Sequence, residues 1–199
     1  MRIMSNLTNT PDAILACARN LIMNGGYNGF SYADIADVVG IRKASIHHHF
    51  PSKVDLGRVL VSRYIEDARA GLSQLEQSVE DPRAILEAYT NHWAQCIADS
   101  SRPFCVCAML ASELPILPPE VAAEVRAFFR LISRWLTSVM ERGGKEGVLV
   151  LSSAPEVEAE AFMASVHGAM LSARAYGDGR TFATILAPTL RRLSPVAAH

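Results

Sequence analysis

Apolar residues recur at helical spacing along nearly the whole chain. Ile14, Ala18, Leu21 and Ile22 form the first stripe, with Thr10-Pro11 as cap and first helical position and Gly25-Gly26 as the stop. Ser31-Tyr-Ala-Asp34 is a capping box with Asp where Glu or Gln is usual, and it predicts a short helix ending at Gly40. A helix over about Arg42–Phe50 follows and breaks at Pro51. A second box, Ser52-Lys-Val-Asp55, opens a long helix to about Val79. Asp81-Pro82 starts another through Asp99. After a loop over Ser100–Phe104 comes a short helix to about Leu114. Pro115, Pro118 and Pro119 precede a long helix to about Arg142, which Gly143-Gly144 is expected to end. Ala154-Pro155 starts a helix to Tyr176, and Thr181–Leu193 forms the last, which Pro188 should kink. Val148-Leu-Val-Leu151 is the one β-like run, too short and isolated for a sheet. The expectation is an all-α fold of about nine helices.

With 199 residues, half of them hydrophobic, 20% charged and a net charge of −1, the chain can bury a sizeable core and is not of the disordered class. Charge-free stretches such as Ala161–Ala173 fall short of the roughly 20 residues a bilayer requires. The N-terminal MRIMSNLTNTPD carries no apolar run of signal-peptide length, so a cytoplasmic protein without a membrane partner is expected. Four cysteines (Cys17, Cys96, Cys105, Cys107) are too few for a disulfide scaffold. The charge is unevenly spread. Met1–Arg63 holds seven Lys/Arg against four acids, leaving twelve against sixteen in the remainder. A basic head on an acidic body points to an anionic partner at the N-terminal end.

Two short capped helices joined through Gly40-Ile41 form a helix-turn-helix pattern. Such a pair holds a recognition helix by its inner face while the outer face enters the major groove of duplex DNA. On Arg42–Phe50, spacing directs Ile46, His49 and Phe50 inward, and Ala44, Ser45, His47 and His48 outward. Arg42 and Lys43 stand at the helix start, where backbone N–H groups also favour phosphate. Lys53, with the first amides of the next helix, is placed to clamp a phosphate. His47-His48-His49 is not read as a metal site, because successive helical residues point about 100° apart.

The stretch Gly29-Phe-Ser-Tyr-Ala-Asp-Ile-Ala-Asp-Val-Val-Gly-Ile-Arg-Lys-Ala-Ser-Ile-His-His-His-Phe-Pro-Ser-Lys53 closely resembles the DNA-binding head of TetR-family transcriptional regulators. The resemblance covers about Asp12–Arg63. It implies a three-helix DNA-binding domain over residues 1–63 and a ligand-binding and dimerisation domain over 64–199. It further implies a homodimeric repressor that binds an inverted-repeat operator in double-stranded DNA and is released by a small molecule, with no cofactor. At two positions the sequence departs from the family: Tyr is common where His47 stands, and Ser or Thr where Arg42 stands.

Beyond residue 64 the chemistry is spread over several helices. Tyr89, His92, Trp93 and Cys96 lie on one predicted face; Phe128 and Trp135 belong to a second helix, and Met163 and His167 to a third. Together they are candidates for an apolar effector pocket with a few polar groups, or for plain core. Phe104-Cys-Val-Cys-Ala-Met-Leu-Ala-Ser-Glu113 is similar to a Cys-x7-Glu stretch in the family's subgroup that answers reactive electrophiles and unsaturated compounds. By that likeness Cys105 is the sensing or pocket-lining thiol, and a position near a helix N-terminus would favour its thiolate. Small residues Ala161, Ala164, Ser165, Gly168, Ala169, Ser172 and Ala173 suit close helix approach, so the last two helices are the expected homodimer surface. Two rivals stand beside this reading: an enzyme using Cys105 with His92 or His167, and a helical interaction module that no longer binds DNA.

Overall fold

A computed structural model describes residues 10–98 and 104–195. Among them are nine α-helices and no strand: α1 Thr10–Gly25, α2 Tyr32–Val39, α3 Lys43–His49, α4 Lys53–Ser78, α5 Pro82–Ala98, α6 Val106–Ala111, α7 Pro119–Glu146, α8 Pro155–Tyr176 and α9 Arg180–Arg192. The predicted all-α architecture is present. Of the predicted Ser100–Phe104 loop, only Phe104 lies within the described residues. No helix among the described residues is long and apolar enough to cross a membrane.

Both predicted capping boxes form. The Ser31 amide donates to Asp34 Oδ2 at 2.7 Å while the Ala33 amide donates to Ser31 Oγ at 3.2 Å. At the start of α4, the Asp55 amide donates to Ser52 Oγ, and the Ser52 amide to Asp55 Oδ2, both at 3.1 Å. Gly40 closes α2 at φ 74°, a left-handed conformation that L side chains adopt only at a cost, and its amide donates to the Ala36 carbonyl at 2.9 Å. Helices of eight and seven residues are marginal in water, so α2 and α3 depend on burial. Ile35 and Ile46, both fully buried, each contribute about 2 kcal/mol.

Two expectations about helix ends are corrected. Gly143-Gly144 does not terminate α7, which continues to Glu146. Gly143 instead admits a close neighbour: a Cβ there would stand 2.4 Å from Leu149 Cδ1. The left-handed stop is Gly147, at φ 72°. The helix predicted to reach Leu114 ends at Ala111, and Leu114–Ile116 forms a separate 3-10 turn containing Pro115.

The chain divides into two compact units. The first joins the residues up to Glu66 with Cys105–Ala127, so α6, packed on α1, and the start of α7 share a unit with the helix-turn-helix. Its core includes Ile14, Ile22, Ile35, Ile46, Leu56, Val61, Val106, Leu110 and Val121. Glu113 belongs to this packing: its carboxylate accepts the Tyr27 amide at 2.9 Å.

The second unit holds Asp67–Phe104 and the chain from Phe128 onward. Phe128, Leu136, Phe162, Met170, Phe182 and Leu186 lie in its core. Glu158, at the start of α8, is buried and takes a two-pronged ion pair from Arg192 at the end of α9, with the Nη2–Oε2 contact at 2.7 Å. That pair holds the two ends of an antiparallel helix pair together.

Candidate nucleic-acid interface and effector site

Helix α3 is gripped from behind and bare in front. Ile46 and Phe50 are buried, and the Tyr32 hydroxyl donates to the Phe50 carbonyl at 2.9 Å. Arg42, which caps the helix, is exposed together with Lys43, Ala44, His47 and His48, while Ser45 is half-buried. His49 is also exposed, which corrects its expected inward placement. Phe50 leaves the helix in an extended conformation, and the Tyr32 ring covers the other flank, 4.8 Å from the His47 ring. The buried side of α3 is therefore narrower than its spacing suggests.

His47 has a fixed orientation. Its Nδ1 lies 3.2 Å from the Pro51 carbonyl oxygen, which can only accept, so the proton of the neutral ring sits on Nδ1. Nε2 is then an acceptor. A phosphate contact through His47 requires a second ring proton or a turned ring.

Lys53 is partly engaged within its own unit. Its ammonium donates to the Phe30 carbonyl and lies 4.1 Å from the Phe30 ring centre and 5.1 Å from that of Tyr27. Burial pushes its pKa below the usual lysine value. Of the α4 amides expected to meet phosphate, that of Asp55 is already taken by Ser52.

The cysteines are unlike one another. Cys105 stands at the N-cap of α6, as expected, yet it is fully buried, and burial raises its thiol pKa. Cys107 is buried too and its thiol is pushed well up. The Tyr64 hydroxyl bonds to Cys105, and the Arg19 guanidinium lies 5.2 Å from the Tyr64 ring centre. Burial here opposes the helix terminus and favours the neutral thiol. Cys96 is the partly exposed thiol among the described residues, 3.7 Å from His92 Nε2.

In the second unit the candidate pocket residues separate into groups. Tyr89 meets Trp135 at 5.2 Å and Trp93 at 6.4 Å between ring centres. Both indole Nε1 atoms are buried without a hydrogen-bond partner. His92, exposed, and Cys96 do not share the buried face of Tyr89 and Trp93. His167 contacts Phe129 at 5.0 Å between ring centres, and burial lowers its pKa to about 4. Phe128 and Met163 are buried core. Cys105 belongs to the other unit. The spacing gives no sign that Phe129 meets His167 or that Glu113 accepts the Tyr27 amide, since neither contact has a local signature.

A family model described as bacterial regulatory proteins, tetR family, matches residues 14–58, from α1 to the first turns of α4. A solved TetR-family transcriptional regulator from Agrobacterium tumefaciens is 58% identical, with a TM-score of 0.92 over 96% of this chain and 100% of that one. The transcriptional activator FasR of Mycolicibacterium smegmatis is 26% identical over 129 residues, 61% of this chain and 58% of FasR. The transcriptional repressor KstR2 of Rhodococcus jostii is 32% identical over 75 residues, 38% of this chain and 37% of KstR2. The matched stretches thus span little more than half, and about a third, of those two curated relatives. All three relatives are transcriptional regulators, and the chain is not an enzyme. By its helix-turn-helix, its helical architecture and its likeness along nearly its whole length to the Agrobacterium regulator, the chain belongs to the TetR family of bacterial regulatory proteins.

Proposed function

We propose that this protein is a cytoplasmic, homodimeric regulator of transcription that represses by occupying an inverted-repeat operator and is released by a small molecule. The outer face of α3 carries the proposal. Arg42, Lys43, Ala44, His47 and His48 are exposed on a helix whose opposite side is locked by Ile46, Phe50 and the Tyr32 hydroxyl. A rigid helix with a polar, basic face is what major-groove reading requires. Its amino-terminal Arg42 and Lys43 supply charge for phosphate.

Two half-sites are read together only when two heads are held about 34 Å apart or a multiple of it. Helix α8 supports pairing of two chains. Val157, Ala161, Ala164, Gly168, Leu171 and Ala175 recur along one side and are all exposed, with Val157 at 56% and Leu171 at 49%. On α9, Ile185 is 37% exposed. A ligand that binds one of two dimer states better shifts the population and with it the DNA affinity. The relatives include both an activator and a repressor. A reporter driven by the selected operator reads the sense for this chain, and repression is the outcome expected.

The effector reading draws on the Tyr89, Trp93 and Trp135 cluster. For a reactive electrophile, the specific observation is the half-buried Cys96 beside His92, in place of the buried Cys105.

In vitro selection of random duplex DNA on the purified, reduced and ligand-stripped protein tests the proposal. Enrichment of an inverted repeat is expected. A pool that stays random would sink the DNA-reading function.

A further inference from the structure

Among the described residues, every buried and unpartnered polar side-chain atom of the second unit is a donor: Nε1 of Trp93, Nε1 of Trp135, and Nε and Nη2 of Arg142. The two tryptophans are 8% and 9% exposed. They come from different helices, α5 and α7, and both pack on the ring of Tyr89. A buried N–H without an acceptor is costly, and such groups are rarely left unpaired in folded proteins. Phenylalanine would fill a plain core at either position without that cost. Two indole donors, on rings that both pack against Tyr89, are thus each short of an acceptor.

The chemistry of that acceptor follows from the surrounding charges. Aromatic rings alone would also attract a cation, but a desolvated cation requires a countercharge. Glu158 is the one buried carboxylate of this unit among the described residues, and it is committed to Arg192. Glu76 faces Arg142, Glu87 faces Arg83, Asp178 faces Arg180, and Glu160 accepts the Ser133 hydroxyl. The orphaned groups are all donors, so the missing partner carries lone pairs.

We propose that the Tyr89, Trp93 and Trp135 cluster binds a flat, largely apolar molecule through an acceptor oxygen, a carbonyl or a carboxylate, received by the two indole N–H groups. The proposal rests on reading the second unit as the effector-binding part and deepens it to a ligand class.

The chain has two tryptophans, so a 15N-tryptophan-labelled sample gives two indole N–H resonances. Acetophenone, benzoate, ethylbenzene and benzylammonium are titrated in turn. Both resonances are expected to move downfield with acetophenone or benzoate, the stronger of the two identifying carbonyl or carboxylate, and to respond at least threefold more weakly to ethylbenzene. Trp93→Phe and Trp135→Phe, which keep an aromatic ring and lose the donor, should each raise the Kd of the preferred acceptor about three- to tenfold and leave that of ethylbenzene unchanged. Equal response to ethylbenzene, preference for benzylammonium, or no movement with any probe would overturn the proposal. Operator affinity is measured in the same titrations. If acceptor probes move the indoles without changing DNA affinity, the ligand class stands and the effector reading fails. If a probe releases DNA with both indoles unmoved, the effector reading stands and the ligand class fails.

Discussion

The Tyr32 hydroxyl donates to the carbonyl of Phe50 across 2.9 Å of buried space, joining the first residue of α2 to the residue that ends α3. This bond fixes the recognition helix from the side away from its exposed face. Tyr32→Phe leaves the Phe50 carbonyl unsatisfied and should destabilise the first unit by about 1–3 kcal/mol. Operator binding should weaken with it, as a melting curve and a binding isotherm on one preparation will show. The phenol pKa is raised to about 12, chiefly by burial, then by Asp55 and Tyr27. Because the folded pKa lies above the ordinary value near 10, this contribution is intact below pH 10 and is lost between pH 10 and 12. The Phe variant should lose that share of the alkaline decline.

Lysines 43 and 53 should behave differently although both lie near the proposed DNA face. Lys43 is exposed on α3, whereas the Lys53 ammonium donates to the Phe30 carbonyl and rests on two aromatic rings. Lys43→Ala should flatten the salt dependence of operator binding by about 0.9 in slope, the signature of one lost phosphate contact. Lys53→Ala should cost the fold about 1 kcal/mol through its lost cation–π and hydrogen-bond contacts. Its slope change should be the smaller of the two. A slope change for Lys53→Ala equal to that of Lys43→Ala would instead mean that the ammonium turns from Phe30 to a phosphate.

What was legible in the sequence was local. Ser31 with Asp34, Ser52 with Asp55 and Gly40 act within one helical turn, so their roles can be read from spacing, and they place the helix-turn-helix. Where a role depends on a neighbour distant along the chain, spacing misleads. Spacing directs His49 inward because it lies one turn from Ile46, yet the Tyr32 ring covers the His47 flank instead. Spacing puts Cys105 at a helix terminus, where it stands, but carries no sign of the full burial that raises its thiol pKa. The sequence marks Trp93 and Trp135 as pocket candidates, but only the tertiary fold packs both against Tyr89 with their donors unpaired.

His167 gives the second unit an acid sensitivity of definite sign. Burial lowers its pKa to about 4, so the folded chain favours the neutral ring while the unfolded chain binds a proton near pH 6.5. Stability is whole above pH 6.5 and falls as the pH drops toward 4. His167→Phe should flatten thermal stability across that window. Glu158 acts lower: its pKa is depressed, mainly by the Arg192 hydrogen bonds, so its contribution holds above the ordinary value of 4.5 and fails below it. In the His167→Phe variant, acid unfolding should therefore begin below pH 4.5.

Thiol chemistry should follow access. A maleimide added to the native protein should label Cys96 first and leave Cys105 and Cys107 unmodified until the chain unfolds, as peptide mapping by mass spectrometry will read. Both inner thiols are buried, and burial raises their pKa values. His92→Ala tests whether the imidazole 3.7 Å from Cys96 assists. A labelling rate unchanged in that variant assigns the selectivity to exposure alone. Labelling of Cys105 as fast as Cys96 in the native state would contradict its burial.

The exposed side of α8 offers a test of the proposed homodimer that spares the monomer. Leu171 is 49% exposed and lies outside its own core, so Leu171→Asp should change the melting temperature of an isolated chain little. In a two-fold interface the same residue recurs on both partners, and any carboxylate placed near the axis meets its own copy, stripped of water. Val157, Ala161, Ala164 and Gly168 on that side carry no charge, and Arg174, three residues on from Leu171, has its guanidinium 5.7 Å from the Phe104 ring centre. Sedimentation should show the wild-type mass fall by half in the variant. Binding to the inverted repeat should drop at least a hundredfold, because each head then acts alone and the effective concentration of the second is lost. A variant that remains dimeric would move the interface away from Leu171, and a monomeric variant that binds the repeat undiminished would separate DNA reading from dimerisation.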